Sequence, residues 1–196
     1  MICKPSAPIL SDRLADAFAL ALSLHRYQTR KVQPIPYIAH LMSVAALVLE
    51  DGGSENEAIA ALLHDAVEDQ GGASTRAEIL QRFGPQVTAI VDACTEPPRQ
   101  LSQSWRDHKL AYLRQVEQAP ESAQRVVLAD KLHNVRSLLT NLGLYGNDTW
   151  NHFTATREDY LWFYVSLAAI FEQTLPGPLT NEFSAAIRTK AMQMHG

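Results

Sequence analysis

The chain has 196 residues, of which 46% are hydrophobic and 19% are charged, a composition typical of one globular domain. The formal net charge is -4 and no run of Lys or Arg stands out, which argues against a protein that binds nucleic acid or anionic membranes non-specifically. Two cysteines make no disulfide framework, and no apolar run is long enough to span a bilayer. We therefore expect a soluble, cytoplasmic protein.

Helical periodicity dominates the chain, and no alternating pair of strands is evident. Ser11 is predicted to cap a first helix, and a second helix is predicted over about residues 37–51, where two glycines end it. Ser54 and Glu57 have the spacing of a capping box, which predicts a third helix that continues to about residue 67.

The rest of the chain is also predicted to be helical. Thr75 with Glu78 is interpreted as a capping box of a short helix that ends at Gly84, and Pro85 begins the next helix. After a loop over about residues 95–103, further helices are predicted over about 104–118, 120–142 and 156–174, and after Pro178. The predicted fold is all-α, one domain of about eight helices over residues 11–196, preceded by an N-terminal extension of residues 1–10.

One apolar helix ends in an unusual group of polar residues. His64, Asp65, Glu68 and Asp69 directly follow a run of Ala, Ile and Leu. Burial of such groups is costly unless they are paired or coordinate a cation. On a continuous helix, residues four apart share a face, so these four would form two adjacent stacks. A solvated helix end is the ordinary alternative, but four such groups together favour a functional site.

Two other helices carry a similar anomaly. His40 precedes an apolar run in the second helix, and Asp130 follows one in the long helix. With His64 and Asp65 they offer two imidazoles and two carboxylates, a mixed set without thiolate that suits Mn²⁺, Fe²⁺, Co²⁺, Ni²⁺ or Zn²⁺. Because His108 is the only histidine between the His64-Asp65 pair and Asp130, the sequence favours one divalent metal over two.

Three blocks of sequence together resemble a known family. They are, in chain order, Arg30-Lys31 with Pro36-Tyr37-Ile38-Ala39-His40, then His64-Asp65-Ala66-Val67-Glu68-Asp69, then Ala129-Asp130-Lys131-Leu132-His133-Asn134. This pattern resembles the HD-domain metal phosphohydrolases, and more specifically the hydrolase domain of the Rel/SpoT proteins and their stand-alone relatives, the small alarmone hydrolases of the Mesh1 type. The resemblance implies an HD-domain helical bundle and Mn²⁺ as the metal. It also implies removal of the 3′-pyrophosphate of (p)ppGpp, the alarmone of the stringent response.

The catalytic and phosphate-binding roles follow from chemistry and from this resemblance. If four groups bind the metal, Glu68 and Asp69 remain to orient a water and to transfer protons. Arg30 and Lys31 lie in the loop before the metal-bearing helix, where two cations can neutralise a pyrophosphate.

Further substrate contacts are predicted for Tyr37, Asn134 and Lys109. Tyr37 is expected to stack on a base or to pack, and Asn134 lies one turn after a metal ligand. Lys109 falls on the lysine of the family's Trp-Arg-x-Arg-Lys stretch, in which His108 replaces an arginine here. His133 is predicted to point away from the site and to be structural.

Several alternatives stay open at the level of sequence. Nothing selects guanine over adenine, so a (p)ppApp hydrolase is an alternative, as is a broader HD-type nucleotidase or phosphatase. A degenerate nucleotide-binding domain would be expected to lack one of the predicted ligands or Glu68 and Asp69, and none is missing. The consecutive aromatic residues Trp162, Phe163 and Tyr164 predict packing in the core, and a homodimer is left open.

Overall fold

Side chains at the helix starts explain where several helices begin. The Ser11 hydroxyl accepts a hydrogen bond from the backbone at the start of the first helix. Ser54 and Glu57 form the predicted reciprocal capping box, and the hydroxyls of Ser104 and Thr156 each accept a hydrogen bond from a backbone N–H in the first turn of their helices. Each cap satisfies backbone N–H groups that the first turn of a helix leaves without a partner. These predicted helix starts are confirmed.

The structure is a computed structural model that describes residues 10–193, with the side chains of residues 189–193 left out. The predicted N-terminal extension therefore lies outside the described residues, apart from Leu10. In the described part, nine α-helices and one 3-10 helix follow one another: α1 (Asp12–Leu24), α2 (Ile38–Glu50), α3 (Glu55–Leu63), α4 (Ala66–Asp69), α5 (Ala73–Cys94), α6 (Trp105–Gln118), α7 (Glu121–Tyr145), the 3-10 helix (Gly146–His152), α8 (Arg157–Thr174) and α9 (Pro178–Gln193).

The third predicted helix is interrupted at the point that matters for the site. α3 ends at Leu63, His64 and Asp65 form a turn, and α4 is a separate helix of four residues. The imidazole of His64 bonds to the carbonyl of Ala61, which is the acceptor that Asp65 N would use in an uninterrupted helix. The predicted continuous helix to residue 67, with its two stacks of polar residues, is therefore wrong.

The predicted capping box at Thr75 and Glu78 is also wrong. α5 already begins at Ala73, and the Thr75 hydroxyl instead donates to the carbonyl of Gln70. The predicted break at Gly84 is confirmed, because this residue has a φ of 84° and kinks α5 into two helical segments. Only glycine adopts such a backbone conformation at no steric cost.

The core lies between α2, α3, α5 and α7, with α1 packed on α3 and with α8 and α9 packed on α7. Its centre consists of fully buried aliphatic side chains from three helices, including Leu41, Ile59, Leu63, Leu128 and Leu132. Each such side chain contributes about 1.5–3 kcal/mol through burial. The apolar faces bring the early part of α2, the end of α3 and the middle of α7 together, and these are the segments that carry the predicted metal ligands.

Two of the three consecutive aromatic residues on α8 lie in the core. Phe163 and Tyr164 are buried as predicted, whereas Trp162 is half-buried. Cys94 is buried and forms no disulfide within the described residues. No helix among residues 10–193 combines the length and the apolar character needed to cross a membrane. The only pairing of strand type in this part of the chain is an isolated bridge between Thr29 and Pro36.

Candidate active site

Four side chains that the sequence singled out meet between α2, α3 and α7. His40 lies in the first turn of α2, His64 and Asp65 in the turn after α3, and Asp130 in the middle of α7. Nε2 of His40 lies 3.2 Å from Oδ1 of Asp130 and 3.7 Å from Oδ2 of Asp65. Nε2 of His64 lies 3.0 Å from Oδ2 of Asp65 and 3.6 Å from Oδ1 of Asp130. Two nitrogens and two oxygens therefore converge.

The two imidazoles are oriented through their other ring nitrogen. Nδ1 of His64 lies 2.8 Å from the carbonyl oxygen of Ala61, and a carbonyl can only accept, so Nδ1 carries the proton. Nδ1 of His40 lies 2.8 Å from Nδ1 of His133. Both Nε2 atoms are buried and have no hydrogen-bond partner among the described residues. Buried nitrogens without a hydrogen-bond partner are exceptional, and two of them beside two carboxylates fit a cation bound between these groups.

The charges at this point also favour a cation. Burial by itself would raise the pKa of Asp65 and of Asp130. His64 outweighs this effect at Asp65 and Lys131 outweighs it at Asp130, so both pKa values lie well below the usual range. Nζ of Lys131 lies 2.8 Å from Oδ2 of Asp130. Burial lowers the pKa of His64, yet the two carboxylates raise it well above its ordinary value. Two ionised carboxylates thus face the imidazoles.

The spacing of the four groups suits a first-row divalent metal. Ligands about 2.0–2.2 Å from such an ion lie about 3.0–3.5 Å from one another in tetrahedral or octahedral geometry. The nitrogen–oxygen separations of 3.0–3.7 Å agree with this spacing. The ligand atoms of His40, His64 and Asp65 lie within 4.8 Å of one another. The residues present therefore fit a metal ion with mixed nitrogen and oxygen ligands.

Tyr37 and Asn134, which were predicted to contact substrate, contact this centre directly, and Arg30 is joined to it through Asn134. The Tyr37 hydroxyl donates to Oδ2 of Asp65 over 2.5 Å, and its ring stacks on the buried imidazole of His25. Asn134 Nδ2 donates to Oδ1 of Asp130 over 2.5 Å, and Arg30 Nη2 donates to Oδ1 of Asn134 over 2.6 Å. Tyr37 and the Asn134 amide thus hold the carboxylates in place.

Glu68 and Asp69 line the cavity at this centre, and each carboxylate accepts a hydrogen bond from a residue outside the proposed ligand set. Glu68 accepts a hydrogen bond of 3.3 Å from the backbone N–H of Glu96, and Asp69 accepts one of 2.7 Å from Nε2 of Gln28. Both carboxylates are exposed and line the cavity described below. Desolvation and the charge of Glu96 raise the pKa of Glu68 above its ordinary value. A carboxylate with a raised pKa is better suited to accept a proton near neutral pH.

The two predicted phosphate-binding lysines differ in their surroundings. Lys31 is exposed at the cavity edge, whereas the Lys109 ammonium is paired with Glu96 and packs against the Trp105 ring. Desolvation lowers the pKa of Lys109 against the opposing effect of Glu96. His108, which replaces the arginine of the family pattern, lies 2.7 Å through Nε2 from the carbonyl of Pro97 and so ties the loop after α5 to α6.

A cavity of about 330 Å³ opens at this centre, and its walls include residues that were not predicted to belong to the site. Besides Lys131 they include Gln28, Gln33, Glu96, Ser137, Asn141, Phe153, Tyr160, Phe163 and Tyr164. Polar residues at steps of three and four along α7 would have identified Ser137 and Asn141. The aromatic residues from α8 gave no such signal, because their periodicity is that of a core helix.

The prediction that His133 points away from the site is wrong. Its Nδ1 contacts His40, and the two ring centroids lie 4.8 Å apart. Burial, together with the neighbouring His40 and Arg30, lowers the pKa of His133 to about 4, so its imidazole is neutral near pH 7. The spacing of three residues between Asp130 and His133 on one helix was the signal that could have indicated this contact.

Comparison with known proteins shows the family to which the chain is similar. A family model described as "HD domain" matches residues 17–161. The guanosine-3′,5′-bis(diphosphate) 3′-pyrophosphohydrolase MESH1 of Mus musculus is 39% identical over 132 residues, which are 64% of this chain and 69% of the mouse protein. A probable guanosine-3′,5′-bis(diphosphate) 3′-pyrophosphohydrolase of Synechocystis sp. is 37% identical over 125 residues, 62% of this chain but only 16% of that protein.

Solved structures extend the similarity over the whole fold. A metazoan ortholog of SpoT, described as hydrolysing ppGpp and playing a role in starvation responses, has a TM-score of 0.76 and 25% sequence identity. That match covers 94% of this chain and 98% of the other. The lmo0812 protein of Listeria monocytogenes EGD-e has a TM-score of 0.66 and 27% identity, over 76% of this chain and 96% of that one.

Proposed function

The chain belongs to the HD-domain family, and from this premise we propose that it hydrolyses the 3′-pyrophosphate of guanosine polyphosphates, so that (p)ppGpp and water give GDP or GTP and pyrophosphate. The resemblance that the three sequence blocks predict is confirmed by the family match and by the MESH1 relatives. One observation carries the proposal for this chain. It is the convergence of two imidazoles and two carboxylates at a cavity that cationic side chains also line.

The proposed metal ligands are His40, His64, Asp65 and Asp130, and the proposed metal is one Mn²⁺ ion. The mixed nitrogen and oxygen set and the two buried Nε2 atoms without a hydrogen-bond partner in the described chain support a divalent metal. The choice of Mn²⁺ among such metals comes from the family resemblance. When bound, a divalent metal lowers the pKa of a water molecule and polarises a phosphoryl oxygen.

Glu68 and Asp69 are the proposed proton-transfer groups. In the reaction a bond forms between the water oxygen and phosphorus, and the bond from phosphorus to the ribose 3′ oxygen breaks. One proton leaves the water and the departing 3′ oxygen takes one up, so a carboxylate that accepts and returns a proton balances the step. Glu68 suits this role because its pKa is raised and its side chain borders the cavity. Asp69 lies next to it and orients Gln28.

Arg30 and Lys31 are the proposed partners of the pyrophosphate. Hydrogen bonds between Arg30 N and the Ile35 carbonyl and between Tyr37 N and the Gln28 carbonyl hold their loop against α2. The Arg30 guanidinium also lies over the Tyr37 ring, 5.6 Å from its centroid. A guanidinium that is held in this way can bind a phosphate without a large loss of side-chain entropy. Lys109 is proposed as a further phosphate contact, which requires it to separate from Glu96.

Adenine is the alternative to guanine as the base of the substrate. Phe153, Tyr160 and Tyr164 line the cavity, and an aromatic ring can stack on any purine. Hydrolysis of (p)ppApp therefore remains the second candidate, followed by a broader nucleotidase. A cytoplasmic location and a homodimer stay predictions from the sequence.

The test is a substrate panel with the Mn²⁺-loaded protein. We expect pyrophosphate from ppGpp, or from ppApp under the alternative, and no product from GTP, deoxynucleoside monophosphates or NADPH. Release of phosphate from monophosphates with ppGpp and ppApp intact would contradict the proposal. The variant Asp65→Ala provides the control for the metal centre, because it removes one proposed ligand, and retained hydrolysis in this variant would exclude the ligand assignment.

A further inference from the structure

The Nδ1 atoms of His40 and His133 contact each other. Nδ1 of His40, on α2, lies 2.8 Å from Nδ1 of His133, on α7. One of the two atoms must donate a proton and the other must accept it. If Nδ1 of one ring carries a proton, Nδ1 of the other ring must therefore be unprotonated. The contact also joins the two helices that carry His40 and Asp130.

The position of His40 determines which ring donates once a metal is bound. Nε2 of His40 faces the carboxylates, 3.2 Å from Oδ1 of Asp130, and it is the atom that points into the centre. A neutral imidazole that binds a metal through Nε2 carries its proton on Nδ1. That proton then points at His133, whose Nδ1 must be the acceptor.

The other imidazole ligand obtains the same orientation from a different acceptor. Nδ1 of His64 donates to the backbone carbonyl of Ala61, which no side-chain substitution removes. His40 has no comparable backbone acceptor for its Nδ1 among the described residues, and its ring is only 1% exposed while His133 is in place. Its orientation therefore depends on one side chain.

We propose that His133 is a positioning residue of the metal centre, which accepts the Nδ1 proton of His40 and so holds His40 in the tautomer and orientation that present Nε2 to the metal. This inference rests on the metal centre of the proposed function. Hydrogen bonds to the second nitrogen of a ligating histidine increase its basicity and restrict its rotation, and their loss typically costs about 10- to 100-fold in metal affinity.

Three substitutions separate positioning from packing. His133→Asn keeps an acceptor oxygen near the place of Nδ1, whereas His133→Gln is also polar but carries its acceptor farther from the backbone. His133→Leu has a similar volume and no acceptor. His152→Leu, at an exposed position on the 3-10 helix, is the matched control. The measurement is the Kd for Mn²⁺ alone, by calorimetric titration of metal-stripped protein, together with the Tm of each metal-stripped variant.

We expect His133→Leu and His133→Gln to raise the Kd for Mn²⁺ by about 10- to 100-fold, and His133→Asn to stay within about threefold of the unsubstituted protein. The control should bind Mn²⁺ as tightly as the unsubstituted protein. If His133→Leu does not fold, the comparison of Asn with Gln gives the same answer.

Unchanged Mn²⁺ affinity in both the Leu and the Gln variant would overturn the inference. Equal weakening in all three variants would also overturn it, because packing rather than the acceptor would then be responsible. No nucleotide is present in this measurement, so it stands apart from the test of the substrate. Intact Mn²⁺ binding without hydrolysis of ppGpp or ppApp would contradict the proposed function. The effect of the His133 substitutions on the Kd for Mn²⁺ could still be measured.

Discussion

The Tyr37 hydroxyl donates a hydrogen bond of 2.5 Å to Oδ2 of Asp65, the oxygen that also lies 3.0 Å from Nε2 of His64. The sequence associated Tyr37 with the substrate, but this contact ties it to a proposed metal ligand. Hydrogen bonds to charged groups contribute about 1.5–3 kcal/mol. We expect Tyr37→Phe to weaken Mn²⁺ binding by about tenfold, as measured by calorimetric titration.

The KM for the nucleotide separates the two interpretations of Tyr37. If the hydroxyl acts only through Asp65, the variant at saturating Mn²⁺ should have an unchanged KM, since the ring and its stacking on His25 remain. A raised KM with unchanged Mn²⁺ affinity would instead assign Tyr37 to the substrate. Tyr27→Phe, at a position that is 93% exposed, is a suitable control.

Removal of the metal should destabilise the fold. The proposed ligands come from α2, from the turn after α3 and from α7, so an ion that binds them joins three parts of the core. A ligand that binds only the folded state adds about 4 kcal/mol at a concentration of 1,000 times its Kd. For a domain of this size that corresponds to a Tm increase of about 8–16 °C. Differential scanning calorimetry with Mn²⁺ and with EDTA measures the difference.

The matched control for this experiment is Asp130→Asn, which keeps the size of the side chain and removes one proposed ligand charge. Its Tm should respond to Mn²⁺ much less than that of the unsubstituted protein. An equal Mn²⁺-dependent increase in both proteins would mean that the ion binds elsewhere.

The charge of Glu96 should move the acidic limb of the pH–rate profile to higher pH. Desolvation and then the charge of Glu96 raise the pKa of Glu68, which must be ionised to accept a proton. The rate should therefore rise with pH through this raised pKa. Glu96→Gln removes the repelling charge and leaves Lys109 without its partner, and both changes lower the pKa of Glu68. We expect the acidic limb of kcat/KM to move to lower pH in this variant.

The pH–rate profile needs two comparisons. Glu117→Gln, at an exposed position on α6, should leave the profile unchanged. Glu68→Gln should lower kcat and abolish the acidic limb, since the titrating group is gone. A limb that stays in place in Glu96→Gln would exclude Glu68 as the group that limits the rate at low pH.

Arg30 should affect substrate binding more than metal binding. Its guanidinium donates to Asn134 and lies in the cavity wall. Loss of a charge-assisted hydrogen bond costs about 1.5–3 kcal/mol, so Arg30→Ala should raise the KM for ppGpp by roughly 10- to 150-fold. Arg30→Lys should recover only part of this loss, because lysine keeps the charge but cannot form the planar bidentate contact.

Arg26→Ala is the matched control for Arg30, because it removes an exposed guanidinium from the turn after α1. Steady-state kinetics at several ionic strengths should show no comparable change in its KM. A KM in Arg30→Ala equal to that of the control would remove Arg30 from the substrate site.

The amino-acid sequence by itself determined the class of fold and the identity of the proposed ligands. Local hydrogen bonds at Ser11, Ser54 and Ser104 begin helices where the spacing of residues predicts them, because a cap involves only residues within three positions. Polar residues such as His40 and Asp130 were detectable because they interrupt apolar runs, and such interruptions are visible along the chain.

The tertiary structure alone decided how these groups are oriented. The helix breaks at His64 and Asp65, His133 turns towards His40, and Lys109 pairs with Glu96. The last two contacts depend on which faces of helices pack together, and residues distant in the chain determine that packing. The sequence could therefore name the proposed ligands of a metal centre, while only the packed helices show which residues hold those ligands in place.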